Sequence, residues 1–347
     1  MPRDALPAAL SIAALRGTCV LLTGLAACGD GNPGIAPSDA GAETSSSETG
    51  IGIDTGVVTD SGFVDSGVNK DASADTFTPT DATPSVDAAL SGWTLTWSDE
   101  FNAPDGSGID PTKWSFDVGT GGDGWGNSEL EYYTDGTKNA VILGGALVIT
   151  AKTDGASSLT CSYGPCQFTS ARLHTQGKFE QKYGRFEARI KVPTGSGTWP
   201  AFWMLGNDIA TNDWPACGEI DIMETVGLDP RTVHGTTHGP GGSVTYTDQG
   251  ISGAYSLPAT GPTLGDDFHL YAVEWSSASV AFSIDGDVYE TVVPPDLPAG
   301  ATWVFDHPYF LLLNFAVGGD WPGSPSPSEP WPKTMVIDYV RAYEPAP

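Results

Sequence analysis

Along residues 93–347, apolar and polar positions alternate in short runs and almost nowhere follow a helical period. Ala146–Ala151, Gly184–Val192 and Val280–Ile284 read as strands. From Arg185 to Lys191, charged residues stand at 185, 187, 189 and 191 and apolar ones at 186, 188 and 190. A period of two predicts a strand with one wet and one buried face. Asp285-Gly286 separates two such runs, Val280–Ile284 and Val288–Val293, which predicts a hairpin turn. Many short strands with Gly- and Pro-rich connections predict an all-β sandwich or barrel. No segment of 20–50 residues repeats, so a propeller or solenoid is not expected.

The pattern stops upstream of Trp93. Residues 29–92 are Ser, Thr, Gly, Ala and Asp in the main, with eleven acidic residues and one Lys. Such a stretch buries too little apolar surface to offset the entropy of ordering. It is expected to be a disordered tether, spanning roughly 45 Å root-mean-square as a flexible coil. Residues 1–28 read as an export signal. Arg3 and Arg16 supply positive charge, and Gly17 to Ala27 form an apolar run too short to span a membrane. The run ends in Leu25-Ala26-Ala27-Cys28, which is similar to a bacterial lipobox. Cys28 is then the expected lipidation site and mature N-terminus, and an ordinary cleaved signal is the alternative. Gly29 supplies no aspartate retention signal, so the expected location is the bacterial envelope, at the outer membrane or cell surface.

Charge narrows the partners. The chain carries 15 Lys and Arg against 43 Asp and Glu, a formal net charge of -28. Nucleic acid is an unsuitable partner, because neutralising phosphates takes clustered Lys and Arg. Acidic polysaccharides are disfavoured for the same reason, whereas a neutral glycan carries no such penalty. The 11 Trp, 11 Tyr and 13 Phe suit stacking on sugar rings, and suit a sandwich core equally well. Of the five cysteines, Cys161 and Cys166 flank the turn-like Ser-Tyr-Gly-Pro, and a small-loop disulfide is expected in an exported protein. Cys217 is left as a buried thiol. No cysteine spacing suits zinc.

The chemistry concentrates in Trp214-Pro-Ala-Cys-Gly-Glu-Ile-Asp-Ile-Met-Glu-Thr-Val-Gly227. In a strand, Glu219 and Asp221 share a face, and one bulged residue returns Glu224 to it. Ile220 and Ile222 would face the core. Three carboxylates in one row cannot all stay ionised, so at least one pKa rises. Glycoside hydrolysis needs that condition: one ionised carboxylate to attack the anomeric carbon and one protonated carboxyl to serve the leaving oxygen.

This segment resembles the signature of family 16 glycoside hydrolases, and the resemblance covers essentially all of residues 93–347. It extends through Asp99-Glu-Phe101, Gly124-Trp-Gly-Asn127, Tyr183-Gly-Arg-Phe-Glu187, Trp199-Pro-Ala-Phe-Trp203, His234-Gly-Thr-Thr-His238, Phe310-Leu-Leu-Leu-Asn314 to Trp321, and Ile337-Asp-Tyr-Val-Arg341. The resemblance implies a β-jelly-roll sandwich of two antiparallel sheets with a substrate cleft on a concave face. It implies a retaining β-1,3-glucanase with Glu219 as nucleophile, Glu224 as acid/base and Asp221 setting their charge states. Met223 makes the motif similar to laminarinases and agarases rather than to lichenases. Activity on agarose or mixed-linkage glucan, or transglycosylation, is the alternative. A non-catalytic glucan-binding lectin on the same fold is disfavoured, since all three acids are present.

By the same resemblance, Asn127, Arg185, Trp199, Trp203, His238, Asn314 and Trp321 are expected to bind substrate. His234 is expected to be structural. The pair His234-x-x-x-His238 would suit zinc only on a helix, and this segment reads as strand and turn. Glu100 and Asp338, with a carbonyl from about Gly145, match positions that hold a structural calcium ion. No cofactor is expected for catalysis, and the enzyme is expected to be a monomer.

Overall fold

A computed structural model describes residues 90–241, 248 and 250–347. The export signal, Cys28 and all of the tether before Leu90 lie outside the described residues. The described part is a sandwich of two antiparallel sheets. The first strand among the described residues is Trp93–Asp99, at the start of the alternating pattern. No helix among the described residues is long and apolar enough to cross a membrane.

One sheet has seven strands, in the order Ile251–Ser256, Thr232–His238, Glu219–Glu224, Thr198–Gly206, Tyr309–Val317, Arg172–His174 and Ser115–Asp117. The other has eight. Its path runs through Asp287–Val292, Val280–Ile284, His269–Trp275, Gly184–Lys191, Lys333–Pro345, Ala146–Ala151 and Ala140–Leu143, and Trp93–Asp99 pairs alongside Lys333–Pro345. About half of the strand pairings join segments distant in sequence.

Alternation decides what each sheet buries. Phe202 and Met204, Ile220, and Leu311, Leu313 and Phe315 point from the seven-stranded sheet into one core. Phe186, Ala188 and Ile190 meet them from the eight-stranded sheet. Residues between these, such as Trp203 and Glu219, therefore occupy the opposite, open face of the seven-stranded sheet. The predicted hairpin is present: Asp285 and Gly286 have φ of 51° and 90°, the left-handed backbone that a tight two-residue hairpin turn demands. Cys161 and Cys166 form the expected disulfide, and Cys217 is a buried free thiol.

Candidate active site

The three acids lie on the strand Glu219–Glu224. Its register against the neighbouring strand pairs Leu205 with Glu219, Trp203 with Asp221, and Ala201 with Glu224. Two residues, Phe202 and Trp203, thus oppose three, Asp221, Ile222 and Met223, and Ile222 is the extra residue of a β-bulge. The bulge has two consequences. Ile222 and Met223 both enter the core, and Glu224 returns to the open face beside Asp221.

His238 faces the acid row from the next strand. Its Nε2 lies 3.1 Å from Asp221 and 3.9 Å from Glu219, and its Nδ1 lies 2.8 Å from Asp248. Burial by itself would lower the imidazole pKa. The hydrogen bonds to Asp221 and Asp248, with the negative charges of Asp221 and Glu219, outweigh it and raise the pKa to about 12. The ring is therefore an imidazolium at neutral pH. Ligand atoms of Glu219, Asp221 and His238 lie within 4.8 Å of one another. An imidazolium has no free lone pair to offer a metal, so the trio reads as a charge cluster.

The surroundings differ at the two ends of the row. Burial and neighbouring Asp221 push Glu219 up, and the His238 cation opposes this. Glu224 is raised to about 8, by burial first and Asp221 second. Its Oε1 accepts the indole N–H of Trp199 at 2.8 Å. Both glutamates are thus raised, and their surroundings distinguish them: a cation stands beside Glu219, and an indole N–H is bound to Glu224.

Aromatic rings bracket the acids. Trp321 is exposed, stands edge-on to Trp199 at 5.6 Å, and contacts His234 at 5.0 Å. Gly319 permits that arrangement. Its φ is 112°, and a Cβ there would stand 2.9 Å from the Asn127 carbonyl and 3.3 Å from the Trp199 ring. At the Glu219 end, exposed Trp214 stands 6.0 Å from His238. Trp203 donates its N–H to Asn314 at 2.7 Å. The guanidinium of Arg172 stacks 4.9 Å from Trp203 and 4.5 Å from Trp125.

Several expectations need correction. Arg185 does not reach the site. It belongs to the eight-stranded sheet, is buried, and pairs with Glu187 and Glu274 at 2.9 Å each. The arginine on the open face is Arg172, which the sequence reading missed because its strand is only three residues long. His234, expected to be structural, pairs in backbone register with Glu224, and its ring meets Trp321. Asn314 commits its amide to the protein, with Oδ1 accepting from Trp203 and Nδ2 donating to Tyr133. It acts on the site through Trp203. Asn127 is exposed, and its side chain donates to Glu129 at 3.3 Å. Both acids of the expected calcium set are engaged with arginines: Glu100 by Nε and Nη2 of Arg341, and Asp338 by Arg189.

A bulged acid row with sorted charges, flanked by indoles, fits glycoside chemistry, and comparison with known proteins agrees. The sequence profile described as "Glycosyl hydrolases family 16" matches residues 125–341. The chain belongs to glycosyl hydrolase family 16. It is 43% identical over 262 residues to a β-glucanase of Rhodothermus marinus, covering 72% of this chain and 85% of that one. It is 38% identical over 277 residues to glucan endo-1,3-β-glucosidase A1 of Niallia circulans, covering 75% of this chain and 39% of that longer one. The laminarinase catalytic domain of Thermotoga maritima superposes with a TM-score of 0.67 at 48% identity, covering 74% of this chain and 99% of that domain. The protein is thus a glycoside hydrolase of jelly-roll fold.

Proposed function

We propose that this hydrolase cleaves internal β-1,3-glucosidic bonds of laminarin-like β-glucans with retention of configuration. The observation that carries this reading is the bulged row Glu219, Asp221, Glu224 with a cation at one end and an indole N–H at the other. Glu219, beside the imidazolium, attacks the anomeric carbon. Glu224, raised to about 8 and so able to hold a proton at neutral pH, gives it to the departing oxygen and later takes one from water. Asp221 lies between them and keeps His238 charged. The relatives named above support a β-glucan substrate, and the open face lined by Trp199, Trp203, Trp214 and Trp321 suits stacking on neutral sugar rings.

The test is a digest panel of laminarin, lichenan, agarose and carrageenan with products sized. Release of short oligosaccharides from laminarin, with little from agarose and carrageenan, is expected. Glucose alone from laminarin would contradict internal cleavage.

The reading extends to location. Leu25-Ala-Ala-Cys28 supports attachment of the enzyme to the bacterial envelope through a lipid on Cys28, with residues 29–92 as spacer. A labelled fatty acid should enter the wild-type protein and be absent from Cys28→Ser, which should turn up in the soluble fraction. An unlabelled wild type would leave a conventional signal peptide.

A further inference from the structure

On the open-face side of the seven-stranded sheet, linked to Asn314 through Tyr133, lies a second carboxyl pair that the reaction described above does not use. Glu131 is fully buried and Glu129 nearly so. One oxygen of Glu131 accepts the backbone N–H of Val317 at 2.7 Å. Its other oxygen, Oε1, has no hydrogen-bond donor in the protein although it is buried. Glu129 is better supplied with donors. Its Oε1 accepts from Asn127 at 3.3 Å and its Oε2 from the Tyr133 hydroxyl at 2.9 Å.

Two carboxylates this buried and adjacent cannot both be charged. The oxygen inventory says which one holds the proton. A protonated Glu131 turns its orphan Oε1 into an O–H donor aimed at Glu129, and Glu129 keeps the charge that its two donors stabilise. Burial and the neighbouring Glu129 charge both push Glu131 well above the usual carboxylate range. The other titratable neighbours are Tyr133 and Tyr163, with Arg172 beyond Tyr133, and Glu224, on which the Glu129 charge acts. The facing strand Phe168–Ser170 contributes no ionisable side chain.

The pair connects to the open face. Tyr133, which donates to Glu129, accepts from Asn314 Nδ2 at 3.1 Å. Asn314 Oδ1 in turn accepts the Trp203 indole N–H. With its hydroxyl proton given to Glu129, Tyr133 can only accept from Asn314. The amide orientation of Asn314 then follows, and its oxygen faces Trp203. Trp203 is the cross-strand partner of Asp221 and the floor against which Arg172 stacks.

We propose that Glu129 and Glu131 share one proton, carried by Glu131, and that the pair is a positioning element which fixes Trp203 through Tyr133 and Asn314. Glu131 touches neither substrate nor the reacting atoms. Its effect is to fix the direction of a hydrogen-bond chain that ends at a sugar-facing indole. The inference deepens the proposed function and rests on it for the ligand, whereas the shared proton itself does not.

Two measurements on the full enzyme test it. At pH 7, an infrared difference spectrum of wild type minus Glu131→Gln should show the C=O band of a buried carboxylic acid. Gln carries an N–H donor where the acid carries O–H, so Glu131→Gln should keep KM for laminari-oligosaccharides within about threefold. Glu129→Gln and Tyr133→Phe break the chain and should raise KM about tenfold with a smaller change in kcat, as when a buried hydrogen bond loses one partner. No carboxylic-acid band in the difference spectrum overturns the shared proton. Unchanged KM in Tyr133→Phe overturns the route to Trp203, and Tyr133→Phe answers that question even if Glu129→Gln fails to fold. An enzyme inert on every β-1,3-glucan sinks the proposed substrate instead, and the infrared result still decides the pair.

Discussion

At the residue scale, one cation separates the roles of two otherwise equivalent glutamates. His238 lies 3.9 Å from Glu219, whereas Glu224 has only a neutral indole donor. Glu219→Gln is expected to cut turnover by several orders of magnitude while glucan still binds, because no covalent intermediate can form. More than a few per cent of wild-type rate would refute the assignment. Glu224 makes a second, thermodynamic prediction. Its folded pKa of about 8 stands above the ordinary value of 4.5. The folded state therefore holds a proton that the unfolded chain releases between those values, and stability falls as pH rises from 4.5 to 8. Gln cannot ionise, so Glu224→Gln should match wild type in thermal midpoint near pH 4 and exceed it at pH 8, the difference growing as pH rises between 4.5 and 8. Activity should fall as pH rises through about 8, since the acid must be protonated to act. A thermal difference independent of pH would show that Glu224 titrates normally.

At the element scale, strands were easier to read than their sheet partners. Alternation from Arg185 to Lys191 announced a strand with Phe186, Ala188 and Ile190 inward, and the structure has it. The same alternation says nothing about which sheet the strand joins, because both sheets bury one face into a common core. Arg185 was therefore assigned to a cleft that lies on the other sheet. Its strand pairs with His269–Trp275 and Lys333–Pro345, contacts between segments roughly 85–150 residues apart that no local pattern encodes. Arg172 and Glu131 escaped notice for the complementary reason: strands of three residues are too short for a period to show. The bulge was legible, since three acids spaced 219, 221 and 224 share a face only with one residue extra. Two predictions follow from this geometry. Arg185→Leu leaves buried Glu187 without its guanidinium, which should cost about 3 kcal/mol of stability and leave KM unchanged. A raised KM with normal stability would return Arg185 to the site. Deleting Ile222 removes the bulge but leaves Glu219, Asp221 and Glu224 in plain alternation with core-facing Ile220 and Met223, so the row should survive and the variant should keep measurable activity, as should Ile222→Val. An inactive deletion variant of normal stability would mean that the bulge sets the spacing of the acids.

At the scale of the whole molecule, charge selects among polymers that the site alone would admit. The chain carries 43 acidic against 15 basic side chains, and the acid row sits within that field. The cations on or near the open face are already engaged: Arg172 with Asp117, and His238 with Asp221 and Asp248. A sulfated chain approaching this face meets repulsion before any ring can stack on Trp199 or Trp321. A neutral glucan meets none. Such steering acts through encounter rate and is screened within about 10 Å at 0.1 M salt. The rate constant kcat/KM on laminarin should therefore hardly change between 20 mM and 500 mM sodium chloride, concentrations that shorten the screening length several-fold. Any slow cleavage of carrageenan should rise with salt over the same range, because screening removes the barrier to approach. If salt instead slowed laminarin cleavage several-fold, electrostatic attraction would be drawing substrate in. A neutral glycan could not then be the ligand the molecule is built to meet.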